Sequence, residues 1–207
     1  MILPISPQAV GAVSLGKTVT LRHFPESLVD ETIILSRLHS DIESRAQAIR
    51  AGHPDWLCAK GCAGCCRQLA QVPQLTAAEW KLLREGLTAL PAEWLRKISQ
   101  GMAAVDRQHE GPIICPLLDR STNVCPVYAQ RPVACRSYGF YMQRGQGLYC
   151  GDIETEVANG VLADVMWGNH DAIDRQLAAL GGSRPITEWF ADWKSDRQGA
   201  ENQQSGE

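Results

Sequence analysis

Residues 58–66 have the sequence CAKGCAGCC and contain four of the eight cysteines of the chain. The other four follow at Cys115, Cys125, Cys135 and Cys150, so every cysteine lies in the middle part of the chain. A dense array of soft sulfur atoms in a chain of ordinary length is most simply explained as a set of ligands for a thiophilic metal. The sequence therefore predicts a fold whose centre is held together by metal.

Length and charge limit what the protein can be. The chain has 207 residues and a formal net charge of −3. A chain of this length buries roughly 70% of its unfolded surface, so it does not need disulfides merely to fold. It contains no long run of lysines or arginines. The composition therefore suggests neither a nucleic-acid partner nor an anionic membrane surface.

The N-terminal stretch does not resemble a secretory signal. No basic residue precedes Lys17, and Pro4 and Pro7 interrupt the apolar run. No apolar stretch approaches the length of about 18 residues that a membrane-spanning helix needs. We therefore expect a cytoplasmic protein. In that reducing compartment the cysteines favour metal thiolates, although their even number also fits disulfides.

The sequence on both sides of the cysteines predicts helices. Leu28, Leu35, Ile42 and Ile49 recur every seven residues, which predicts a helix over residues 27–51 with one apolar face. Further helices are predicted over residues 77–87, 91–108, 152–166 and 169–180, and a short one from Pro185.

A capping box supports the second of these helices, because Thr76 is followed at the third position by Glu79. The chain shows no alternation of strands and helices of the βαβ type. The predicted fold class is therefore mainly α: an irregular helical domain with a cysteine-lined metal-binding centre and little β structure.

The predicted organisation has three parts. Residues 1–24 form an irregular N-terminal segment, and residues 25–194 form a single, mostly helical domain. The cysteine cluster occupies residues 56–151 of that domain. Residues 195–207 lack apolar side chains except Ala200, which predicts a disordered polar tail.

The arrangement of the cysteines leaves the grouping of ligands open. Cys65 and Cys66 are neighbours whose side chains diverge, so either they bind two different metal ions or one of them is not a ligand. Eight thiolates suffice for two four-sulfur sites, each with a net charge of about −2 for zinc or an oxidised 4Fe–4S cluster. Arg131 and Arg136 would offset that charge, unless they belong to an ordinary solvated face.

The identity of the metal is also open. Structural zinc sites usually contain two close cysteine pairs, but only Cys62 and Cys65 form one here. One close group of cysteines with distant partners fits an iron–sulfur cluster slightly better. The predicted cofactor is an iron–sulfur cluster, such as a 4Fe–4S cluster, or zinc.

The cysteines belong to a longer pattern: C-x3-C-x2-CC, then CP-x-L, then C-x2-Y-x2-RP-x2-CR-x-Y, then a last cysteine. With this pattern, residues 56–151 resemble the YkgJ-type cysteine-cluster family, whose members are described as zinc- or iron-chelating. The resemblance implies metal or iron–sulfur binding and implies no reaction. The metal ligands that it implies are Cys58, Cys62, Cys65, Cys66, Cys115, Cys125, Cys135 and Cys150, and the other matching residues are Pro116, Leu118, Tyr128, Arg131, Pro132, Arg136 and Tyr138.

Two other motif matches lack their structural context. Residues 11–18 match the Walker A string, but neither a strand before them nor a helix after them is predicted, so we interpret the match as chance. The spacing of Cys58, Cys62 and Cys65 also occurs in radical S-adenosylmethionine enzymes. Those enzymes resemble partial βα barrels and usually have an aromatic residue where this chain has Gly64, which argues against radical chemistry.

Our main hypothesis is a cytoplasmic metal-binding protein whose role is structural, redox or metal handling. No Ser/His/Asp arrangement or carboxylate pair identifies a catalytic residue, so whether the protein is an enzyme stays open. A related cysteine cluster occurs in flagellin lysine methylases, and one alternative is a cluster-dependent methyltransferase or oxidoreductase. The other is a metal-stabilised module with a protein-binding surface on residues 27–51 or 185–194.

Overall fold

The computed structural model describes residues 26–108 and 111–204, with side chains over residues 31–108 and 111–199. The predicted irregular segment over residues 1–24, which includes the Walker A match, lies outside the described residues. None of the helices within the described ranges combines the length and the hydropathy that a membrane-spanning helix requires.

Helices make up most of the regular structure. The described residues contain eight of them and a 3-10 turn over Tyr128–Gln130, which confirms the predicted mainly α class. The helices are α1 (Glu26–Gly52), α2 (Gly64–Arg67), α3 (Ala77–Thr88), α4 (Ala92–Asp106), α5 (Val133–Ser137), α6 (Gly151–Ala158), α7 (His170–Ala178) and α8 (Ile186–Gln204).

Short strands form two small sheets. Strand β1 (Gln74–Thr76) pairs antiparallel with β5 (Ser183–Pro185), which joins the segment before α3 to the segment before α8. Strand β2 (Tyr141–Gln143) pairs antiparallel with β3 (Gln146–Leu148) and parallel with β4 (Gly168–Asn169). No strand in the described residues exceeds three residues, so the expectation of little β structure is also confirmed.

Helix α1 buries one face, as its seven-residue repeat predicts. Leu35, Ile42 and Ile49 are buried together with Leu38 and Ala46. This face packs against α5, β2, α6 and α7 to form a hydrophobic cluster that we call the first core. Its other members are Trp56, Val133, Phe140, Tyr141, Ile153, Leu162, Ile173 and Leu180.

A second hydrophobic cluster, which we call the second core, lies among α3, α4 and α8. Its buried members are Leu75, Trp80, Leu83, Leu87, Ile98, Met102, Leu117, Val127, Ile186 and Phe190. At its edge the ring of Trp80 stacks on Trp189 with 6.1 Å between centroids, and it meets Trp193 at a steep angle at 6.2 Å. These aromatic side chains stabilise the contact between α3 and α8.

The capping box predicted at Thr76 and Glu79 is confirmed, and it has a second role. The N–H of Thr76 donates to Oε2 of Glu79 at 2.9 Å, and the N–H of Glu79 donates to Oγ1 of Thr76 at 3.3 Å. The other carboxylate oxygen, Oε1, accepts a hydrogen bond from the N–H of Val133 at 3.0 Å. Because Val133 begins α5, buried Glu79 links α3 to the helix that carries Cys135.

Two helix ends differ from the expectation. The prediction of a helix over residues 152–166 is wrong at its end, because α6 stops at Ala158. Gly160 has a φ of +76°, and the N–H of Val161 donates to the carbonyl of Glu156 at 3.0 Å, which is the Schellman arrangement that ends a helix. Helix α8 continues to Gln204, through most of the segment for which the sequence predicts a disordered tail.

Candidate metal centre

The cysteines come from several separate segments of the chain. Cys58 and Cys62 lie in the loop after α1, and Cys65 and Cys66 lie on the short helix α2. The other four lie in the loop after α4 (Cys115), just before the 3-10 turn (Cys125), on α5 (Cys135) and at the N-cap of α6 (Cys150).

Main-chain hydrogen bonds bring two of these segments together. The N–H of Cys115 donates to the carbonyl oxygen of Cys66 at 2.7 Å. Next to this bond, Leu69 and Ile113 exchange a pair of hydrogen bonds of 2.9 Å. The loop that contains Cys115 is therefore fixed against the end of α2.

A cavity of about 70 Å³ lies among these segments. The cysteines that line it are Cys58, Cys62, Cys65, Cys66, Cys115, Cys125 and Cys135. The eighth, Cys150, lies close by, because a Cβ placed on Gly64 would be 3.9 Å from both the Cβ of Cys150 and the Sγ of Cys62. The structure thus brings all the predicted ligands into one region, and their binding of metal stays a prediction.

As placed, the thiols do not form a coordination shell. In residues 26–108 and 111–204, no three His, Cys, Asp or Glu side chains converge into a group that could hold a metal ion. All eight cysteines are free thiols, and the Sγ atoms of Cys65 and Cys66 are 3.9 Å apart. The structure therefore shows a cysteine-lined cavity and not the formed metal centre that the sequence predicts.

The environment of the sulfur atoms favours protonated thiols. Burial, followed by the charges of neighbouring cysteines, raises the pKa of Cys58 to about 12. The side-chain hydrogen bond with Cys115 is the main cause that raises the pKa of Cys66, also to about 12. Burial likewise raises the pKa of the Cys135 thiol. A metal ion that binds these thiols would therefore have to displace their protons.

Both arginines that the sequence singles out, Arg131 and Arg136, line the cavity. The guanidinium of Arg131 stacks on the ring of Tyr128 at 3.7 Å, and its charge opposes the effect of burial on the pKa of Cys125 and Cys135. The guanidinium of Arg136 donates to the main-chain carbonyls of Arg131, at 2.9 Å, and of Ala129. Arg136 therefore stabilises the turn before α5.

Arg50, near the end of α1, lies beside the cysteines, and the sequence did not predict it as part of the site. Its Nη2 donates to the carbonyl oxygen of Cys58 at 3.4 Å, and its guanidinium lies 4.7 Å from the centre of the Phe140 ring. Its charge lowers the pKa of the Cys58 thiol against the effect of burial. No sequence signal could have found it, because Arg50 reaches the cysteines only through the turn that follows α1.

Gly139 was missed as well. The thiol of Cys58 donates to the carbonyl oxygen of Tyr138 at 3.6 Å, so the chain at Gly139 passes directly against this cysteine. Gly139 has a φ of +90°, and a Cβ there would lie 2.8 Å from the Sγ of Cys58. Both the backbone angle and the lack of space require glycine at this position.

The donor set fits zinc or iron. The residues that the structure places around the cavity include seven thiols and neither a carboxylate nor a histidine. Thiolates are soft ligands that select zinc and iron–sulfur clusters, whereas calcium and magnesium require oxygen ligands. The nearby His53 is directed elsewhere, since its Nε2 lies 3.6 Å from Oδ1 of Asp164. The cavity can therefore hold a thiophilic metal by its chemistry.

Comparison with known proteins indicates the same kind of metal site. Residues 57–157 match the model of the CxxCxxCC family, described as a "putative zinc- or iron-chelating domain". This match over residues 57–157 confirms the resemblance to a cysteine-cluster family that the sequence indicates. Neither the curated proteins nor the solved structures include a match to the chain.

Proposed function

We propose that the eight cysteines chelate zinc or iron and that the bound metal stabilises the contact between the two cores. The observation that carries the proposal is the single cavity, which seven cysteines from separate segments line. The family match over residues 57–157 supports the same chemistry. Because chelation by thiolates requires reduced cysteines, we also propose a reducing compartment, the cytoplasm.

The positions of the cysteines in the fold support a structural role for the metal. Some of them pack at the edge of the first core and others at the edge of the second core. Metal bound by these cysteines together with Cys65 and Cys66 of α2 would therefore fasten the edges of both cores to this short helix, as structural metal sites do in other small domains. The charges of Arg50 and Arg131 would partly offset the negative charge of the thiolates.

Iron as an iron–sulfur cluster and zinc as separate ions are the two forms of this proposal. The irregular spacing of the cysteines favours iron–sulfur slightly. A bound cluster would supply redox chemistry, whereas zinc would supply cross-links alone. In either form the cysteines bind the metal, and Cys58 packs against the first core, in which Trp56 and Phe140 stack at 5.7 Å.

The test is purification without oxygen, followed by absorption spectroscopy and elemental analysis. We expect either iron with broad absorption near roughly 400 nm or colourless protein that contains zinc. Folded protein that contains neither metal, and takes up neither on reconstitution, would overturn the proposal.

A substitution at the exposed end of the cavity gives a second test. Cys62→Ala should lower both the metal content and the yield of folded protein, because it removes one thiolate from the ligand set. Gln68→Ala is a matched control, since Gln68 is exposed and lies just after the cysteine run. Equal metal content in the two variants would remove Cys62 from the proposed ligands.

A further inference from the structure

We propose that the eight cysteines form two separate four-thiolate sites that meet at the peptide bond between Cys65 and Cys66. This inference rests on the proposed function, because it assigns the ligands of the same metal centre. The first site consists of Cys58, Cys62, Cys65 and Cys150, and the second consists of Cys66, Cys115, Cys125 and Cys135.

The two hydrophobic cores separate the cysteines in the same way. Cys58 and Cys150 pack against the first core, whereas Cys115 and Cys125 pack against the second core. These four cysteines are far apart in sequence, so the division does not follow from their spacing. The remaining cysteines, which pack against neither core, all line the cavity: Cys62, Cys65, Cys66 and Cys135.

Contacts within the first group are local to one side of α2. Gly64, the first residue of α2, is flanked by Cys62 and Cys150, as its 3.9 Å distances to both show. The thiol of Cys58 donates to the carbonyl oxygen of Tyr138 at 3.6 Å, and the hydroxyl of Tyr138 donates to the carbonyl oxygen of Tyr149 at 2.8 Å, next to Cys150. Cys58, Cys62 and Cys150 therefore lie on one side of α2, and Cys65 is the cysteine of α2 that we assign to them.

Contacts within the second group follow the pairing of α2 with the loop after α4. The main-chain hydrogen bond of 2.7 Å from the N–H of Cys115 to the carbonyl oxygen of Cys66 holds these two residues together. Cys125 packs against the second core together with Cys115. Cys135, which lines the same cavity from α5, is the remaining cysteine and gives the group its fourth member.

Arginines lie beside both groups. Arg50 donates to the carbonyl oxygen of Cys58 in the first group at 3.4 Å, and Arg131 and Arg136, which flank Cys135 of the second group in the chain, line the same cavity. A four-thiolate site with zinc or an oxidised 4Fe–4S cluster has a net charge of about −2. Positive charge beside both groups is the arrangement expected if that charge arises twice, in two places.

The experiment compares metal content in the wild-type chain and in one variant of each group. Cys150→Ser removes a ligand from the first site, and Cys125→Ser removes one from the second. We expect each variant to retain about half of the wild-type zinc or iron, and the double variant to retain almost none. Circular dichroism and thermal melting identify any variant that does not fold.

A second measurement uses the wild-type chain, so its result does not depend on whether the variants fold. Protein loaded with cadmium in place of the native metal should give two cadmium NMR signals, both in the range of four-thiolate sites, without coupling between them. A coupling through a shared thiolate, or a single signal, would overturn the division into two separate sites.

The outcomes distinguish this inference from the proposed function. If the wild-type chain binds no zinc, iron or cadmium, the proposed function itself fails. If the wild-type chain binds metal but either single variant loses all of it while remaining folded, the cysteines act as one site. In that case chelation stands and the two-site arrangement is overturned.

Discussion

Gly139 shows how a single residue outside the cysteine pattern can control a sulfur position. It combines a left-handed backbone with contact to Cys58, so a side chain would have to displace the sulfur or the loop. Gly139→Ala should therefore destabilise the fold by more than the roughly 1–2 kcal/mol that left-handed alanine costs by itself, and should lower metal content.

Gly145 offers a matched control for this prediction. It also has a positive φ, of +77°, but a Cβ there would meet nothing within 4 Å. Gly145→Ala should show the backbone cost alone, with unchanged metal content. Denaturant unfolding and elemental analysis of both variants measure the difference, and equal behaviour would contradict the contact with Cys58.

His39 on α1 should make stability depend on pH. Burial, with the positive charges of Arg136 and Arg131, lowers its pKa to about 4 from the usual 6.5. The folded state thus favours neutral His39, while the unfolded chain takes up a proton below about pH 6.5. The free energy of unfolding should fall as pH decreases from about 6.5 towards 4. The buried Nε2 has no hydrogen-bond partner among the described residues, which is consistent with a costly charged form.

The test compares His39→Gln with the wild-type chain at neutral pH and at about pH 5. The variant should lose less stability over this interval, as thermal melting would record. Contributions from the cysteines are common to both proteins and cancel in the comparison. Identical losses of stability in the two proteins would show that His39 does not cause the pH dependence.

At the scale of elements, α3 and α5 are joined through Glu79. Its carboxylate accepts hydrogen bonds from Thr76 and from the N–H of Val133, and it is only 3% exposed. Glu79→Ala would leave these buried donors unpaired and should cost about 3 kcal/mol of unfolding free energy. Glu85→Ala on the exposed face of α3 should change it by less than about 0.5 kcal/mol. Chemical denaturation checks both, and a similar effect of the two would contradict the link to α5.

Helices with local signals could be predicted from the sequence. The seven-residue repeat predicts α1, the capping box predicts α3, and Pro91 marks the start of α4. The end of α6 was predictable in principle, because Asn159 and Gly160 form a known stop signal. The pairing of β1 with β5 was not, since it joins residues far apart and neither strand has an alternating pattern.

At the scale of the whole molecule, the eight cysteines could be predicted as a group, whereas their division between two cores could not. The division depends on which core each loop packs against, and this tertiary information has no counterpart in the spacing of the cysteines. The same limitation applies to Arg50, which reaches Cys58 from a different element.

Removal of metal should affect the contact between the cores more than the helices themselves. Treatment with a strong chelator should lower the melting temperature, because a ligand that binds only the folded state stabilises it. Far-ultraviolet circular dichroism should change little, since α1 and α3 have apolar faces of their own. Restoring zinc or iron should restore the melting temperature. An unchanged melting temperature would contradict the structural role.

The wide separation of the cysteines along the chain also affects the order of events during synthesis. A ribosome makes the chain from its N-terminus at about 5–20 residues per second, and Cys150 emerges long after Cys58. The sulfurs of Cys58, Cys62 and Cys65 are therefore exposed for several seconds before Cys150, their last partner in the proposed first site, has been made. If the cysteines bind metal as proposed, their full coordination can form only after Cys150 has emerged, and oxidants or foreign metals have that interval in which to compete for the nascent chain.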